Sequence, residues 1–330
     1  LAHITVIGAG AWGTALALAA HRGNNSVTLW SPFEDEVNML RDKRMHISKL
    51  PDVTIPEDIE ISTDTHQACQ DADVVVLAPP AQKMREVCQY IRPFMKEASP
   101  VVITSKGIEN ITNQLMSQVV GEVLNLNPLA ALSGPSFAIE VGQNLPTAVT
   151  IASDHAALAE QICKQFNSTH FRPYLSTDII GTQLGGALKN VIAIACGILD
   201  GMELGHNARA ATLTRGIAEI SRLGVAMGGK PETFMGLSGI GDLTLTALST
   251  KSRNMSFGQA IGKGTPLENL LEKDTLTEGV FTVKSAVELA EQYEVEMPIT
   301  FAIHRLINNQ EHLEDLMGDI LSRPLKEEAA

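Results

Sequence analysis

Three glycines, three cations and one carboxylate stand out by type and spacing. Gly8, Gly10 and Gly13 fall in the order GxGxxG. Backbone amides without intervening side chains can approach a pyrophosphate closely, and the partial positive charge of a following helix start draws it in. Ala11 and Trp12 lie within the same stretch and are expected to touch the cofactor from the loop. Lys106 stands in Thr104-Ser105-Lys106-Gly107. Lys189 follows Gly186 by three residues and Gly185 by four, on a helix face cleared of bulk. A lysine in such a gap is partly desolvated; its pKa falls, and proton exchange near neutral pH becomes feasible. Asp242 sits among small and apolar residues in Gly239-Ile240-Gly241-Asp242-Leu243. In Lys251-Ser252-Arg253-Asn254, the guanidinium of Arg253 can fork onto a phosphate while Ser252 and Asn254 add neutral hydrogen bonds. Plainer roles fit the same residues: ordinary glycine turns, surface charge at Lys106 and Arg253, Lys189 reaching past close-packed helices to water, Asp242 as a helix cap.

The elements around these residues alternate. A β-branched run at 4–7 leads into the glycines, and an Ala- and Leu-rich helix follows at 14–20. Strand 26–30 precedes a helix over 33–44 with acidic residues early and basic ones late, matching the helix dipole. After a Pro-punctuated stretch with one short strand at 59–62, strands are predicted at 74–78, 101–104, 130–133 and 148–152, and helices at 82–91 and 114–124. Continuously apolar strands spaced by helices indicate a mainly parallel, Rossmann-like α/β sheet covered on both faces. Lys106 then lies just past the carboxyl end of a strand, the edge where open parallel sheets bind ligands. Gly134, Ser136 and Ala138 lie at the same edge, in a tight turn feeding a helix start with free amides, which also fits an ordinary connection. The acidic residue that receives the adenosine ribose of NAD is expected about 20 residues after the glycines. Trp30-Ser31-Pro32 stands there instead, so both NAD and NADP remain open.

Beyond about Thr177 the pattern is helical throughout, with Leu188, Val191, Ile192, Ala195 and Leu199 on one apolar face. The expected division is a dinucleotide-binding domain over 1–176 and an all-helical, substrate-binding domain over 177–330, ending in a solvated tail at 324–330. The 330 residues suit two domains at about 150 residues each. With 25 basic against 38 acidic residues the net charge is −13, which argues against binding nucleic acid or anionic membrane over the whole surface. An anionic ligand needs its own pocket of Lys and Arg. The longest apolar runs, near 74–78 and 191–195, fall well short of the roughly 20 residues that span a bilayer, and the chain shows no charged-then-apolar leader. Cys69, Cys88, Cys163 and Cys196 are scattered without CxxC or metal-ligand spacing, so reduced thiols, a cytoplasmic location and no metal site are expected.

Taken together, these stretches resemble the bacterial-type NAD(P)-dependent glycerol-3-phosphate dehydrogenases. The resemblance rests on VIGAGAWGTALA, TSKGI, SGPSFA, LGGALKNVIAI, NARAATLTRG, GLSGIGDLTLT, KSRN, TEGV and MPIT, in family order over nearly the whole chain. It implies hydride transfer between NAD(P)H and dihydroxyacetone phosphate, yielding sn-glycerol 3-phosphate for phospholipid synthesis. Lys189 would carry the proton at the C2 oxygen, with Lys106 and Asp242 positioning the substrate near it. Gly134, Ser136, Thr246, Ser252, Arg253 and Asn254 would contact the substrate, Arg253 at its phosphate. Trp12, Ala138 and Glu278 would contact the cofactor, as would Lys106 and Arg253 on its substrate side. Pro32 replaces a His or Arg of many relatives, so a preference for NADP does not transfer; Trp12 replaces a Tyr or Phe, a change expected to be harmless. Assembly, if any, is expected as a homodimer through the helical domain. Two rivals remain: a 3-hydroxyacid or 6-phosphogluconate type dehydrogenase, which the Gly-Ile-Gly-Asp and Ser-Arg-Asn segments disfavour, and a dinucleotide-sensing module without turnover.

Overall fold

The β-branched and apolar runs pair as one eight-stranded sheet in the computed structural model, which describes residues 1–272, 277–308 and 311–316. The expected tail at 324–330 lies outside the described residues. The strands are β1 (His3–Ile7), β2 (Ser26–Trp30), β3 (Glu60–Ser62), β4 (Val74–Leu77), β5 (Val101–Ile103), β6 (Leu129–Ser133), β7 (Thr147–Ala152) and β8 (Phe171–Ser176). Their order is β3-β2-β1-β4-β5-β6-β7-β8, parallel except where β7 runs antiparallel to β6. Alternate residues of β4 enter opposite cores: Val74 and Val76 join Ile4 and Val6, whereas Val75 and Leu77 join Ile7 and Ile103. Helices cover both faces: α1 (Ala11–Arg22), α2 (Glu34–Lys43), α3 (Thr65–Gln70), α4 (Met84–Ile91), α5 (Met116–Val123), α6 (Ala138–Gly142) and α7 (Ala156–Phe166). The order turns back between β1 and β4, which puts the ligand crevice of such a sheet beyond the carboxyl ends of those two strands.

The predicted strands and helices of this half are present, their ends moved by up to three residues. Three elements were not anticipated. Asp64 caps α3 by accepting from the Gln67 amide at 3.0 Å, and α7 buries Leu158, Ala159, Ile162 and Phe166 at helical spacing. Strand β8 carries Pro173, which a ladder tolerates because β8 is the sheet edge.

The C-terminal half is helical: α8 (Ile179–Gly201), α9 (Gly205–Ala226), α10 (Pro231–Phe234), α11 (Asp242–Leu248), α12 (Arg253–Gly262), α13 (Leu267–Leu271), α14 (Glu278–Gln292) and α15 (Pro298–Asn308). α8 is long and apolar enough to cross a membrane, but almost its whole surface is taken up inside the protein. Burial extends beyond the one face expected, to Gln183, Lys189 and Asn190. Asp178 starts this helix, accepting from the amides of Gly181 and Lys230, each at 2.8 Å.

α8 and α12 approach backbone to backbone. A Cβ on Gly197 would lie 2.2 Å from the Met255 carbonyl oxygen, and one on Gly201 2.3 Å from that of Gln259. Reciprocally, Cβ atoms on Gly258 and Gly262 would lie 2.1 and 2.2 Å from the carbonyl oxygens of Ile194 and Ile198. No rotamer change relieves a clash with backbone, so Gly258→Ala is expected to cost about 2 kcal/mol or more by forcing the helices apart. Urea unfolding of both proteins measures this; an unchanged midpoint would show that the helices are not so closely packed.

Candidate active site

The glycine loop leaves β1 and enters α1, and its three glycines meet three different demands. Gly8 has φ +109°, a conformation that side-chain-bearing residues seldom adopt, and a Cβ there would press on the Ala78 carbonyl at 3.2 Å. A Cβ on Gly13 would fall 1.8 Å from the Gly8 oxygen. One on Gly10 would project into open space, with nothing within 4 Å. Two glycines therefore close the turn, and the third keeps clear the place where a pyrophosphate meets the α1 amides. Gly10 is the N-cap of α1 and brings no side chain to those amides. Ala11 and Trp12 belong to the first turn of α1 rather than to the loop where they were expected. The Trp12 indole Nε1 is buried without a partner. The open cradle and this orphaned donor fit a bound dinucleotide.

Lys106 extends from the loop after β5. Its Nζ donates to the Gly134 carbonyl at 2.9 Å and to Asp242 Oδ2 at 2.7 Å. Lys189, nearly three turns into α8, donates from Nζ to Asp242 Oδ1 and, at 2.8 Å, to Thr246 Oγ1. Asp242 and Lys189 are buried, and the Lys106 side chain is 17% exposed. Asp242 opens α11 just after the π-helical turn Leu237–Gly241 and is not its cap residue, which is Gly241. The gap beside Lys189 is filled by protein: a Cβ on Gly185 would lie 2.3 Å from the Ser238 oxygen, and one on Gly186 2.6 Å from Ser133 Oγ. These glycines let α8 seat against β6 and the π-turn, which leaves the Lys189 side chain 8% exposed. Burial and the neighbouring Lys106 charge push its pKa down to about 7 against the opposing pull of Asp242.

Two helix starts converge beside this cluster. Arg253 is exposed at the first position of α12, within electrostatic reach of Glu278 at the first position of α14. Ser252 caps α12, its Oγ accepting from the Met255 amide at 3.2 Å. Asn254 donates to Asn190 Oδ1 at 3.0 Å and accepts from the Gly279 amide at 2.9 Å, tying together α8, α12 and α14. Both side chains thus have positioning work within the protein, while Ser252 and Asn254 each keep one N–H or O–H available. Asn190 is a site residue that the sequence reading passed over; its place directly after Lys189 was the available signal.

Glu278 is half-buried, and its carboxylate accepts from the Ala81 amide while Oε2 is buried without a partner. Burial pushes its pKa up, partly opposed by that amide and by Arg253. At the sheet edge, Gly134 has φ +140°, and a Cβ there would sit 3.0 Å from the Val149 Cα. Ser136 Oγ donates to the Gly134 carbonyl at 2.8 Å, and Ala138 opens α6. The residues expected at one site are thus brought to one edge: Gly8 to Trp12 and Lys106 from the sheet side, Lys189, Asp242, Thr246, Arg253 and Glu278 from the helical side. Among the described residues no cluster of His, Cys, Asp or Glu is arranged to hold a metal.

Models of the NAD-dependent glycerol-3-phosphate dehydrogenase N-terminus and C-terminus match residues 3–159 and 178–318. A glycerol-3-phosphate dehydrogenase (NAD(P)+) of Rhodospirillum rubrum is 45% identical over 327 residues, spanning 99% of this chain and 94% of that protein. Its counterpart from Parvibaculum lavamentivorans is 44% identical over 326 residues and 98% of each chain. The crystal structure of glycerol-3-phosphate dehydrogenase from Coxiella burnetii is 35% identical, covers 98% of this chain and 99% of its own, and superposes with a TM-score of 0.92. Matched in both halves and sharing one layout from end to end, the chain belongs to the NAD-dependent glycerol-3-phosphate dehydrogenases.

Proposed function

We propose that the chain interconverts dihydroxyacetone phosphate and sn-glycerol 3-phosphate, with Lys189 as the proton carrier. The observation that carries this is the buried Lys189 ammonium, fixed by Asp242 and Thr246 beside Lys106. An ammonium has three N–H bonds. Two of those on Lys189 point at Asp242 and Thr246, and the third is left for the C2 oxygen of the substrate. Lys106 is likewise held by two acceptors and keeps one donor for the same end of the molecule.

Bound nicotinamide supplies hydride to C2 in the reduction and accepts it in the oxidation. As negative charge gathers on the C2 oxygen, Lys106 and Lys189 stabilise it, and Lys189 transfers its proton. In the oxidation, neutral Lys189 takes the hydroxyl proton back. Asp242 holds both amines and does not itself exchange the proton. At the far end, Arg253 forks onto the phosphate, helped by the remaining donors of Ser252 and Asn254 and by the α12 amides. Gly134 and Ser136 line the substrate's approach at the sheet edge. Gly8, Gly10, Ala11, Trp12, Gly13, Ala138 and Glu278 hold NAD or NADP, with the unpartnered Trp12 Nε1 and Glu278 Oε2 turned to its account.

The division at 176 and 177 is supported by the end of β8 at Ser176 and the start of α8 at Ile179. A cytoplasmic location is supported by four free thiols, three of them buried, and suits a supply of glycerol 3-phosphate for phospholipid synthesis.

Lys189→Ala is expected to lower turnover of dihydroxyacetone phosphate with NADH at least about a hundredfold while leaving cofactor affinity near normal; near-normal turnover would remove Lys189 from the proton step. Because the acid form serves reduction and the free amine serves oxidation, the reductive rate should fall as pH rises through about 7 and the oxidative rate should climb over the same range. Two rates moving in the same sense would contradict the assignment. Arg253→Ala is expected to lower kcat/KM for dihydroxyacetone phosphate by about tenfold or more and to leave the slow turnover of unphosphorylated dihydroxyacetone unchanged. An equal loss on both substrates would place Arg253 elsewhere. Gly10→Ala should weaken dinucleotide binding by about tenfold or more without moving the thermal midpoint, read by cofactor fluorescence titration and a melting curve.

A further inference from the structure

The carboxyl end of β2 is the usual neighbourhood of the carboxylate that receives an adenosine ribose, and this chain puts Ser31 directly after its last residue, Trp30. Ser31 Oγ donates to Glu36 Oε2 at 2.6 Å. Glu36 stands in the first turn of α2, so its carboxylate is folded back onto the end of the strand. Its other oxygen accepts from Lys49 Nζ at 2.7 Å and His46 Nε2 at 3.3 Å. Burial works against the charge on Glu36, but the bonds from Lys49 and Ser31 outweigh it and hold the carboxyl below its ordinary range. His46 is likewise pushed below its ordinary range, chiefly by burial, so it contributes a donor without a charge near neutral pH.

The other charges within the first turn of α2 are acidic. Glu34 and Asp35 are exposed in the same helical turn. Arg41 Nε is engaged with the Ile61 carbonyl at 2.7 Å, and Arg44 with the Ile59 carbonyl at 2.8 Å and Glu57 at 3.1 Å. Lys49 is already paired with Glu36. Next to the cluster Phe33 leaves its ring 67% exposed, the kind of surface an adenine covers.

Resting on the dinucleotide site proposed above, we infer that Glu36 reads the adenosine ribose and makes the chain selective for NADH over NADPH. With Ser31 bound, Glu36 Oε2 keeps one lone pair, and a ribose hydroxyl can donate to it. A 2′-phosphate has no proton to offer at neutral pH and meets the carboxylate, 14% exposed, where water screens poorly. The carboxylate that β2 lacks is thus supplied from α2.

The test is equilibrium binding of NADH and NADPH separately, by fluorescence titration of the full chain, with no substrate present. The unaltered protein should bind NADH at least about tenfold tighter than NADPH. Glu36→Gln should shrink that ratio to about threefold or less, by weakening NADH and strengthening NADPH. Lys49→Ala should widen it, because the carboxylate loses its counter-charge. The proposal is overturned if the unaltered protein binds both cofactors alike or prefers NADPH, if Glu36→Gln leaves the ratio intact, or if Lys49→Ala narrows the ratio. Should Glu36→Gln fail to fold, judged by its melting curve, the unaltered ratio and Lys49→Ala decide. Binding of neither cofactor would overturn the dinucleotide site as well, whereas loss of selectivity alone leaves it standing.

Discussion

Asp242 binds two ammonium groups at once, Lys106 from the sheet side and Lys189 from within the helical half. All three side chains are largely withdrawn from water, and charges so withdrawn are tolerated only when their geometry satisfies one another. The arrangement therefore constrains the surrounding structure. α8 must lie close to β6, which needs Gly186 opposite Ser133, and close to the π-turn, which needs Gly185 opposite Ser238. α11 must begin at Asp242, where the positive end of the helix also favours a carboxylate. Any shift of α8 along its axis would separate Lys189 from both Asp242 and Thr246.

The same helix is held from the opposite side by the reciprocal glycines of α12. That contact does more than fill space. α12 begins with Ser252, Arg253 and Asn254, so the close approach that stabilises the helical half also places the cation assigned to the phosphate at a set distance from the buried amine. The Asn254 bridge to Asn190 and Gly279 then fixes the start of α14, where Glu278 reaches the Ala81 amide past β4. Packing and chemistry share residues here, which is why glycines in mid-helix, weak points by propensity, are placed at the centre of the molecule.

How far the sequence could be read depended on whether a residue's role was local. Gly8, Gly10 and Gly13 each answer a demand set within a few residues, and their spacing showed the cradle. Lys189 could be singled out by its own neighbours, but its partners Asp242 and Thr246 lie 53 and 57 residues away, and only the meeting of α8 with α11 brings them together. Ser252 and Asn254 could be placed near a phosphate by type; their duties as cap and cross-link depend on helices not visible from the segment itself. Strand β8 was hidden by Pro173, which signals a break in the interior of a sheet and is harmless at its edge. Glu36 was legible as an acid in a first helical turn, suited to the dipole, while its bond to Ser31 needs α2 to fold back on β2.

These local arrangements settle an apparent conflict between the chain's charge and its ligands. A protein with net charge −13 should repel both a dinucleotide and a phosphate ester. At physiological salt that field is screened over about 8 Å, so what an anion meets on arrival is set by the nearest groups. These are exposed Arg253 at the start of α12, the start of α1 beside its glycines, and two amines that share a single carboxylate. One positive charge is in excess there, and burial makes it unfavourable while the site is without an anion, as the lowered pKa of Lys189 records. In the proposed reaction, a phosphate at Arg253 and charge growing on the C2 oxygen would relieve that excess. The site is therefore closest to electrostatic balance when charge has developed on the oxygen, the condition under which binding energy lowers a barrier instead of merely holding a substrate.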